Sequence, residues 1–88
     1  MYLVLLLWIN TKNHIILWNM KIGIIIRERR EALEVTQHDV AELSGVSVNT
    51  LSAIETGRAN PSVGVVQRIA EVLGLELILQ VKHPSKLT

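Results

Sequence analysis

The chain has 88 residues, the length of one small domain, and a domain of this size buries little core, which favours a partner or a dimer. Apolar residues make up 49% of it and aromatic residues only 3%, so a core must be built from Leu, Ile and Val. The absence of cysteine excludes disulfides and thiolate metal sites. A net charge of +1 excludes the class of strongly basic proteins that bind nucleic acid through charge alone.

Residues 1–19 form a hydrophobic N-terminal extension with two apolar runs, residues 2–9 and 15–18, separated by polar residues. A membrane-spanning helix needs about 20 consecutive apolar residues, and a secretory signal needs a basic start and small residues at its end, so neither pattern fits. Three interpretations stay open: a misassigned start codon with Met20 as the true first residue, a hydrophobic arm that packs on the domain or a partner, and a membrane anchor. We favour the first and expect no membrane partner.

Residues 20–74 carry the periodicity of a helical domain. Apolar residues at intervals of three and four predict a first helix over residues 21–34. Thr36 suits the N-cap of a second helix over residues 37–43, because its hydroxyl can accept a hydrogen bond from the backbone N–H of Asp39. The residues predicted to face inward are Ile22, Ile25, Ile26, Arg29 and Leu33 in the first helix and Val40, Ala41 and Leu43 in the second.

A tight turn and two further helices are predicted next. Gly45 can take the left-handed conformation that a sharp turn requires, and Ser47 can cap a third helix. Residues 56–61 have the composition of a loop. A fourth helix starts after a cap at Asn60 or Ser62 and stops at Gly74. The apolar residues predicted to be buried here are Val46, Leu51, Ile54, Val66, Ile69, Ala70, Val72 and Leu73.

Residues 75–83 change to a period of two, which is typical of a strand with one apolar face. The residues on that face are Leu75, Leu77, Leu79 and Val81. A lone strand leaves its backbone groups unpaired. We expect it to pair with the same strand of a second protomer across a two-fold axis, with the apolar run of residues 3–9 as the rival partner. Residues 84–88 are expected to be a frayed tail.

Residues 22–75 resemble the Cro/cI-type, or Xre, helix-turn-helix transcriptional regulators. The residues that carry the resemblance, all in register, are Gln37, Ala41, Gly45, Val46, Leu51, the Ile54-Glu55-x-Gly57-Arg58 exit, Asn60-Pro61-Ser62 and Ile69-Ala70-x-x-Leu73-Gly74. The resemblance implies an all-α fold, a lambda-repressor-like bundle of four to five helices, here with a C-terminal dimerising β-strand. The terminal LELILQVK is similar to HipB-like antitoxins, whose C-terminal strands pair at the dimer interface.

The resemblance also implies a DNA-binding surface. Val48 and Asn49 should reach base edges, since Asn can bond adenine in a bidentate manner and Val can lie on a thymine methyl. Ser52 should meet a base or a phosphate. The residues expected at phosphates are Gln37, Ser47, Thr50 and Arg58. Arg30 and Glu55 match a buried ion pair that, in the family, ties the first helix to the end of the third.

These expectations describe a cytoplasmic, sequence-specific regulator of double-stranded DNA: a homodimeric repressor of its own operon that needs no cofactor. The main alternative is an antitoxin that acts by neutralising a HipA-like kinase toxin. A membrane-tethered regulator is a further rival that depends on residues 1–20. An enzyme is not favoured, because no two of the three histidines share metal-ligand spacing on one face, and no phosphate-binding loop or nucleophile motif occurs. We therefore predict neither catalytic residues nor metal ligands.

Overall fold

The structure is a computed structural model that describes residues 11–78, with side chains from residue 18 onward. Four helices lie in this range: α1 (Thr11–Ala32), α2 (Gln37–Ser44), α3 (Val48–Glu55) and α4 (Val63–Leu73). α1 packs on α3 and α4, and α2 packs on the same two helices. The predicted helical bundle is confirmed for the described residues, which contain no strand. None of their helices is long and apolar enough to cross a bilayer.

α1 is longer than the sequence indicated. It begins at Thr11, whereas the prediction placed its start at Lys21. The polar residues that interrupt the N-terminal apolar runs do not break a helix, because none of them is proline and each lowers helix propensity by less than about 0.7 kcal/mol. α1 therefore runs through the expected boundary between residues 19 and 20. Residues 1–10 lie outside the described range.

α1 ends at Ala32, two residues before the predicted end at Glu34. Glu34 has a positive φ of 58°, in the left-handed region that ordinary residues rarely adopt. The backbone N–H of Val35 donates to the carbonyl of Arg30 at 3.2 Å, which closes the helix end over this left-handed residue. The chain thereby reverses direction and enters α2.

The core lies where α1 and α2 meet α3 and α4. Its buried residues are Ile26, Val40, Ala41, Val46, Leu51, Ile54, Ile69 and Leu73. Four residues predicted to face inward are instead exposed: Arg29, together with Ile25 by 45%, Leu33 by 42% and Leu43 by 73%. Asn19, Gly23, Ile26 and Arg30, at steps of four, three and four residues, lie along the buried or half-buried face of α1, and Ile22 packs beside them against the core. The apolar pattern therefore predicted Ile22 and Ile26 correctly but not Ile25, Arg29 and Leu33.

The buried face of α2 also differs from the prediction. Its buried residues are Val40, Ala41 and Ser44, so the third inward position belongs to a serine and not to Leu43. The Ser44 hydroxyl donates to the carbonyl of Ala41 at 3.3 Å, and this bond lets the polar side chain lie in the core.

α4 is capped by Ser62 and not by Asn60. The Ser62 hydroxyl accepts from the backbone N–H of Val65 at 3.2 Å. At the other end Gly74 is left-handed, with φ of 69°, and Arg29 Nε donates to the carbonyl of Leu73 at 2.8 Å. Arg29 therefore joins the last turn of α1 to the C-terminus of α4, where a cation is favoured by the helix dipole.

Residues 75–78 follow α4 without regular secondary structure. Leu75 is partly buried against the core, whereas Leu77 is 48% exposed and Ile78 is 63% exposed. The remaining part of the predicted strand, with Leu79 and Val81, lies outside the described residues. The described half is thus not paired as a strand within the single chain.

Candidate nucleic-acid interface

The turn between α2 and α3 is held by backbone hydrogen bonds to a single carbonyl. Gly45 is left-handed, with φ of 74°, and its N–H donates to the carbonyl of Ala41 at 3.0 Å. The N–H of Val46 donates to the same carbonyl at 3.1 Å, and the Val46 side chain is buried. A residue with a β-carbon would be strained at Gly45. The two helices are therefore fixed at a defined angle.

α2 starts with a capping box. The Thr36 hydroxyl accepts from the backbone N–H of Asp39 at 3.0 Å, and the Asp39 carboxylate accepts from the backbone N–H of Thr36 at 3.2 Å. These bonds hold the pKa of the Asp39 carboxyl below its ordinary value, chiefly through the backbone N–H of Thr36. The carboxylate also lies at the positive end of the helix, where negative charge is stabilising.

α3 starts at Ser47, whose hydroxyl accepts from the backbone N–H of Thr50 at 3.0 Å and lies 2.9 Å from the Thr50 hydroxyl. Leu51 and Ile54 are almost fully buried and hold the inner face of α3 against the core. The outer face is formed by Val48, Asn49 and Thr50, which are exposed, and Ser52, which is half-buried. The structure thus brings five of the predicted DNA-contacting residues together on one helix and its cap.

Glu55 ends α3 and is the centre of a buried polar cluster. Arg30 Nε lies 2.7 Å from one carboxylate oxygen and Arg30 Nη2 lies 3.0 Å from the other. The side chain of Glu55 is only 1% exposed and that of Arg30 is 14% exposed. The hydrogen bond to Glu55 raises the pKa of the Arg30 guanidinium, so the arginine stays charged. Breaking such a buried pair from one side costs about 3–5 kcal/mol.

Two further contacts join this cluster to α2. Arg30 Nη1 donates to the carbonyl of Val35 at 2.9 Å, just before α2. Gln37, the first residue of α2, donates from Nε2 to a Glu55 oxygen at 3.0 Å. Arg30 and Glu55 therefore connect α1, α2 and the end of α3. Gln37 is half-buried, and one of its two Nε2 protons is used in this bond, while the second has no partner among the described residues.

Arg58 lies on the loop after α3 and is exposed. Its backbone N–H donates to the carbonyl of Ala53 at 2.8 Å, and its Nε donates to the hydroxyl of Thr56 at 2.9 Å. Gly57 between them is left-handed, with φ of 77°. The guanidinium thus leaves the bundle beside the C-terminal end of α3, on the opposite end of that helix from Ser47.

Glycine packing sets how α1 meets α3, and the sequence interpretation did not identify it. A Cβ on Gly23 would overlap the carbonyl oxygen of Ile54 and would lie 2.9 Å from that of Glu55. A Cβ on Gly57 would lie 2.9 Å from the Met20 side chain. A signal was available for Gly23, because glycine inside a helix costs about 1 kcal/mol relative to alanine and often marks a close approach.

The described residues offer polar groups at this surface. No group of three or more His, Cys, Asp or Glu side chains among them could hold a metal ion. His38 is exposed on α2, while His83 and the side chain of His14 lie outside the description. What the surface presents is a short helix with hydroxyl, amide and methyl groups outward, flanked by an amide at one end of α2 and a guanidinium after α3.

Two short helices joined by a left-handed turn, with the outer face of the second exposed, define a helix-turn-helix DNA-binding domain. A model of the helix-turn-helix family matches residues 26–79, and the chain belongs to this family, in its Cro/cI, or Xre, form. Several relatives that resemble the chain bear the names of HTH-type transcriptional regulators.

An uncharacterised HTH-type transcriptional regulator of Methanothermobacter thermautotrophicus is 46% identical over 54 residues, which cover 61% of this chain and 78% of that protein. The ImmF control region 10 kDa protein of Bacillus phage phi105 is 37% identical over 57 residues, covering 65% of this chain and 63% of that protein. Relatives in Methanococcus maripaludis are 41% identical, but this chain spans only 17% of their length. The similarity is thus to the DNA-binding domain, within proteins of different size.

Proposed function

We propose that the protein is a sequence-specific transcriptional regulator that binds double-stranded DNA as a homodimer and represses its own operon. The observation that carries this proposal is the outer face of α3, where Val48, Asn49 and Thr50 are exposed while Leu51 and Ile54 anchor the helix from behind. An α-helix fits the major groove, in which each base pair presents its own pattern of donors, acceptors and methyl groups.

Individual roles follow from chemistry and position. Asn49, at the start of α3, can bond the N6 and N7 edge of adenine, and Val48 beside it can cover a thymine methyl. Ser52, one turn later, meets a base or a phosphate. Gln37, at the start of α2, and Arg58, after α3, serve phosphates, with Ser47 and Thr50 donating from the start of α3.

A homodimer would serve the same function. Two copies related by a two-fold axis would place their α3 helices in successive major grooves, about 34 Å apart, on a near-palindromic site. We assign the contact between copies to the segment of Leu75, Leu77, Leu79 and Val81. Its described part supports this, since Leu75 is held against the core while Leu77, two residues on, is 48% exposed.

The test is a footprint of the protein on the DNA upstream of its own gene. We expect protection of a two-fold site, and we expect Asn49→Ala to weaken binding by on the order of 1–3 kcal/mol and to relax preference at one base position. A footprint that Asn49→Ala weakens equally for every sequence would contradict base readout by Asn49. A wild-type protein without protection at physiological salt would contradict the proposal as a whole.

A second function is an antitoxin that binds and neutralises a HipA-like toxin. It draws support from the exposed Leu77 and Ile78, which suit a protein interface, and from the similarity of the terminal segment to HipB-like antitoxins. A reading frame for a kinase beside the gene, and a stable complex between the two products, would favour this role. Homodimers that bind the operator fully without any second protein would favour the repressor alone.

A further inference from the structure

Thr56 is a residue of the candidate interface to which the resemblance assigns no role. It follows the last residue of α3 and has φ of −96° and ψ of 3°. Its hydroxyl lies 2.9 Å from the carbonyl oxygen of Ser52 and 3.3 Å from that of Ala53. A hydroxyl has one proton to donate and two lone pairs to accept. With its proton directed to these carbonyls, the oxygen is an acceptor for a group on its other side.

That group is Arg58. Its Nε donates to the Thr56 hydroxyl at 2.9 Å, so the helix end, the hydroxyl and the guanidinium form one connected chain of hydrogen bonds. The other described bonds of Arg58 involve only its backbone. Nη1 and Nη2 therefore have no hydrogen-bond partner among the described residues, and together they form one edge of the planar guanidinium. It is the edge that matches the two oxygens of a phosphate.

The backbone of the same loop is also fixed. The N–H groups of Arg58 and Ala59 both donate to the carbonyl of Ala53, at 2.8 and 3.2 Å, and the N–H of Gly57 donates to the carbonyl of Ile54 at 3.1 Å. Met20 of α1 packs on Gly57. A long, exposed arginine would normally lose much rotamer freedom on binding. Here the loop and the Thr56 hydroxyl restrict that freedom in the free protein.

We propose that Thr56 is a positioning residue for Arg58, which it orients in advance so that the Nη1–Nη2 edge meets a DNA phosphate beside the C-terminal end of α3. Thr56 itself touches no DNA in this arrangement. The inference rests on the proposed function, since it concerns how one contact to DNA is made. Ordering an arginine in advance should raise the affinity by about 2–10-fold, the entropy otherwise lost on binding.

The test is a double-mutant cycle on binding of a mixed-sequence duplex of about 20 base pairs, because a phosphate contact is independent of sequence. Thr56→Val keeps the shape of the side chain and removes the hydroxyl. We expect it to weaken binding by about 2–10-fold in the wild-type background and to have no further effect once Arg58→Ala is present. Thr56→Ser keeps the hydroxyl and should bind with wild-type affinity.

Loss of a helix cap is the competing explanation, and Ser62→Ala is its matched control, since Ser62 caps α4 without contacting Arg58. The control should lower thermal stability and leave the cycle unchanged. The NMR signal of the Arg58 Nε proton supplies a readout without DNA: it should be slow to exchange in the wild type and fast in Thr56→Val.

The outcomes are distinguishable. If Thr56→Val weakens binding equally with and without Arg58, or if the Nε proton exchanges at the same rate in both proteins, Thr56 does not position Arg58. If the wild-type protein fails to bind any duplex at low salt, the proposed function is wrong instead, and the exchange measurement alone still decides whether the hydrogen bond exists.

Discussion

Replacing Gly23 of α1 by alanine should lower the free energy of unfolding, whereas replacing Gly64 of α4 by alanine should raise it. Gly23 lies in the interior of α1, and a Cβ there would overlap the carbonyl oxygen of Ile54 and approach that of Glu55 at 2.9 Å. Gly64 lies in the first turn of α4, where the nearest atom to an added Cβ is the Ser62 hydroxyl oxygen at 3.9 Å. Both gain helix propensity from alanine, but only Gly23 faces a rigid obstacle.

The magnitudes follow from that difference. Gly64→Ala should raise the free energy of unfolding by about 0.5–1 kcal/mol, because alanine restricts the unfolded chain and meets no clash. Gly23→Ala gains a similar amount and loses about 3 kcal/mol to overpacking, at the upper end because the obstacle is backbone and cannot rotate away. The net loss is about 2 kcal/mol, or a fall in Tm of roughly 10 °C for a domain of this size.

Thermal unfolding followed by far-UV circular dichroism measures both variants under identical conditions. Gly64→Ala is the matched control, since it reports the intrinsic benefit of the substitution in a helix of the same protein. A Gly23→Ala protein as stable as Gly64→Ala would refute the reasoning, because α1 would then not approach the end of α3 as closely as the structure shows. Gly23→Ala should also weaken DNA binding, since it displaces the helix that supports Glu55.

Three further outcomes are expected. Glu34→Gly should raise the free energy of unfolding by about 0.5–1 kcal/mol, since glycine relieves the left-handed strain at φ of 58° at some cost in chain entropy, and a loss of stability in denaturant melts would contradict this. The pKa of the Asp39 carboxyl is lower in the folded protein than its ordinary value of 3.8, so the carboxylate stabilises the fold above that value and loses this effect as the pH falls through the lowered pKa. The difference in Tm between the wild type and Asp39→Asn should therefore disappear in acid. A difference that stays constant with pH would exclude the carboxylate as its source. Leu77→Asp should dissociate the proposed homodimer, because it places a charge on the apolar contact between the copies. A variant that light scattering still finds dimeric would exclude the segment of residues 75–81 as that contact.

Local chemistry explains which features could be predicted from the sequence. The caps at Thr36 and Ser47 and the left-handed turn at Gly45 depend on hydrogen bonds within a few residues, and the structure has all three. The start of α1 was wrong because polar residues were taken as a break, although they merely lower propensity. Orientation was less predictable: Leu43 fits an apolar pattern, yet burial depends on where the neighbouring helix lies.

The candidate site also contains contacts that the sequence pattern could not predict. The pairing of Arg30 with Glu55 joins residues distant in the chain, and its expectation came from family resemblance and not from periodicity. Gly23 was overlooked because its importance arises from the backbone of α3, which no pattern within α1 contains. Contacts of Asn49 and Arg58 with DNA involve a second molecule, so they stay predictions that binding experiments decide.

The length of α3 has a consequence for how much information one copy can read. Eight residues span about 12 Å, which matches roughly four base pairs at about 3.4 Å each. Four base-pair positions distinguish at most about 250 sequences. A single copy would therefore find thousands of matching sites among the roughly 10⁶ or more sites of a genome. Two copies reading about eight positions distinguish roughly 65,000 sequences, and DNA shape between them adds more. In the proposed homodimer, the selection of one site in a genome therefore depends on both α3 helices.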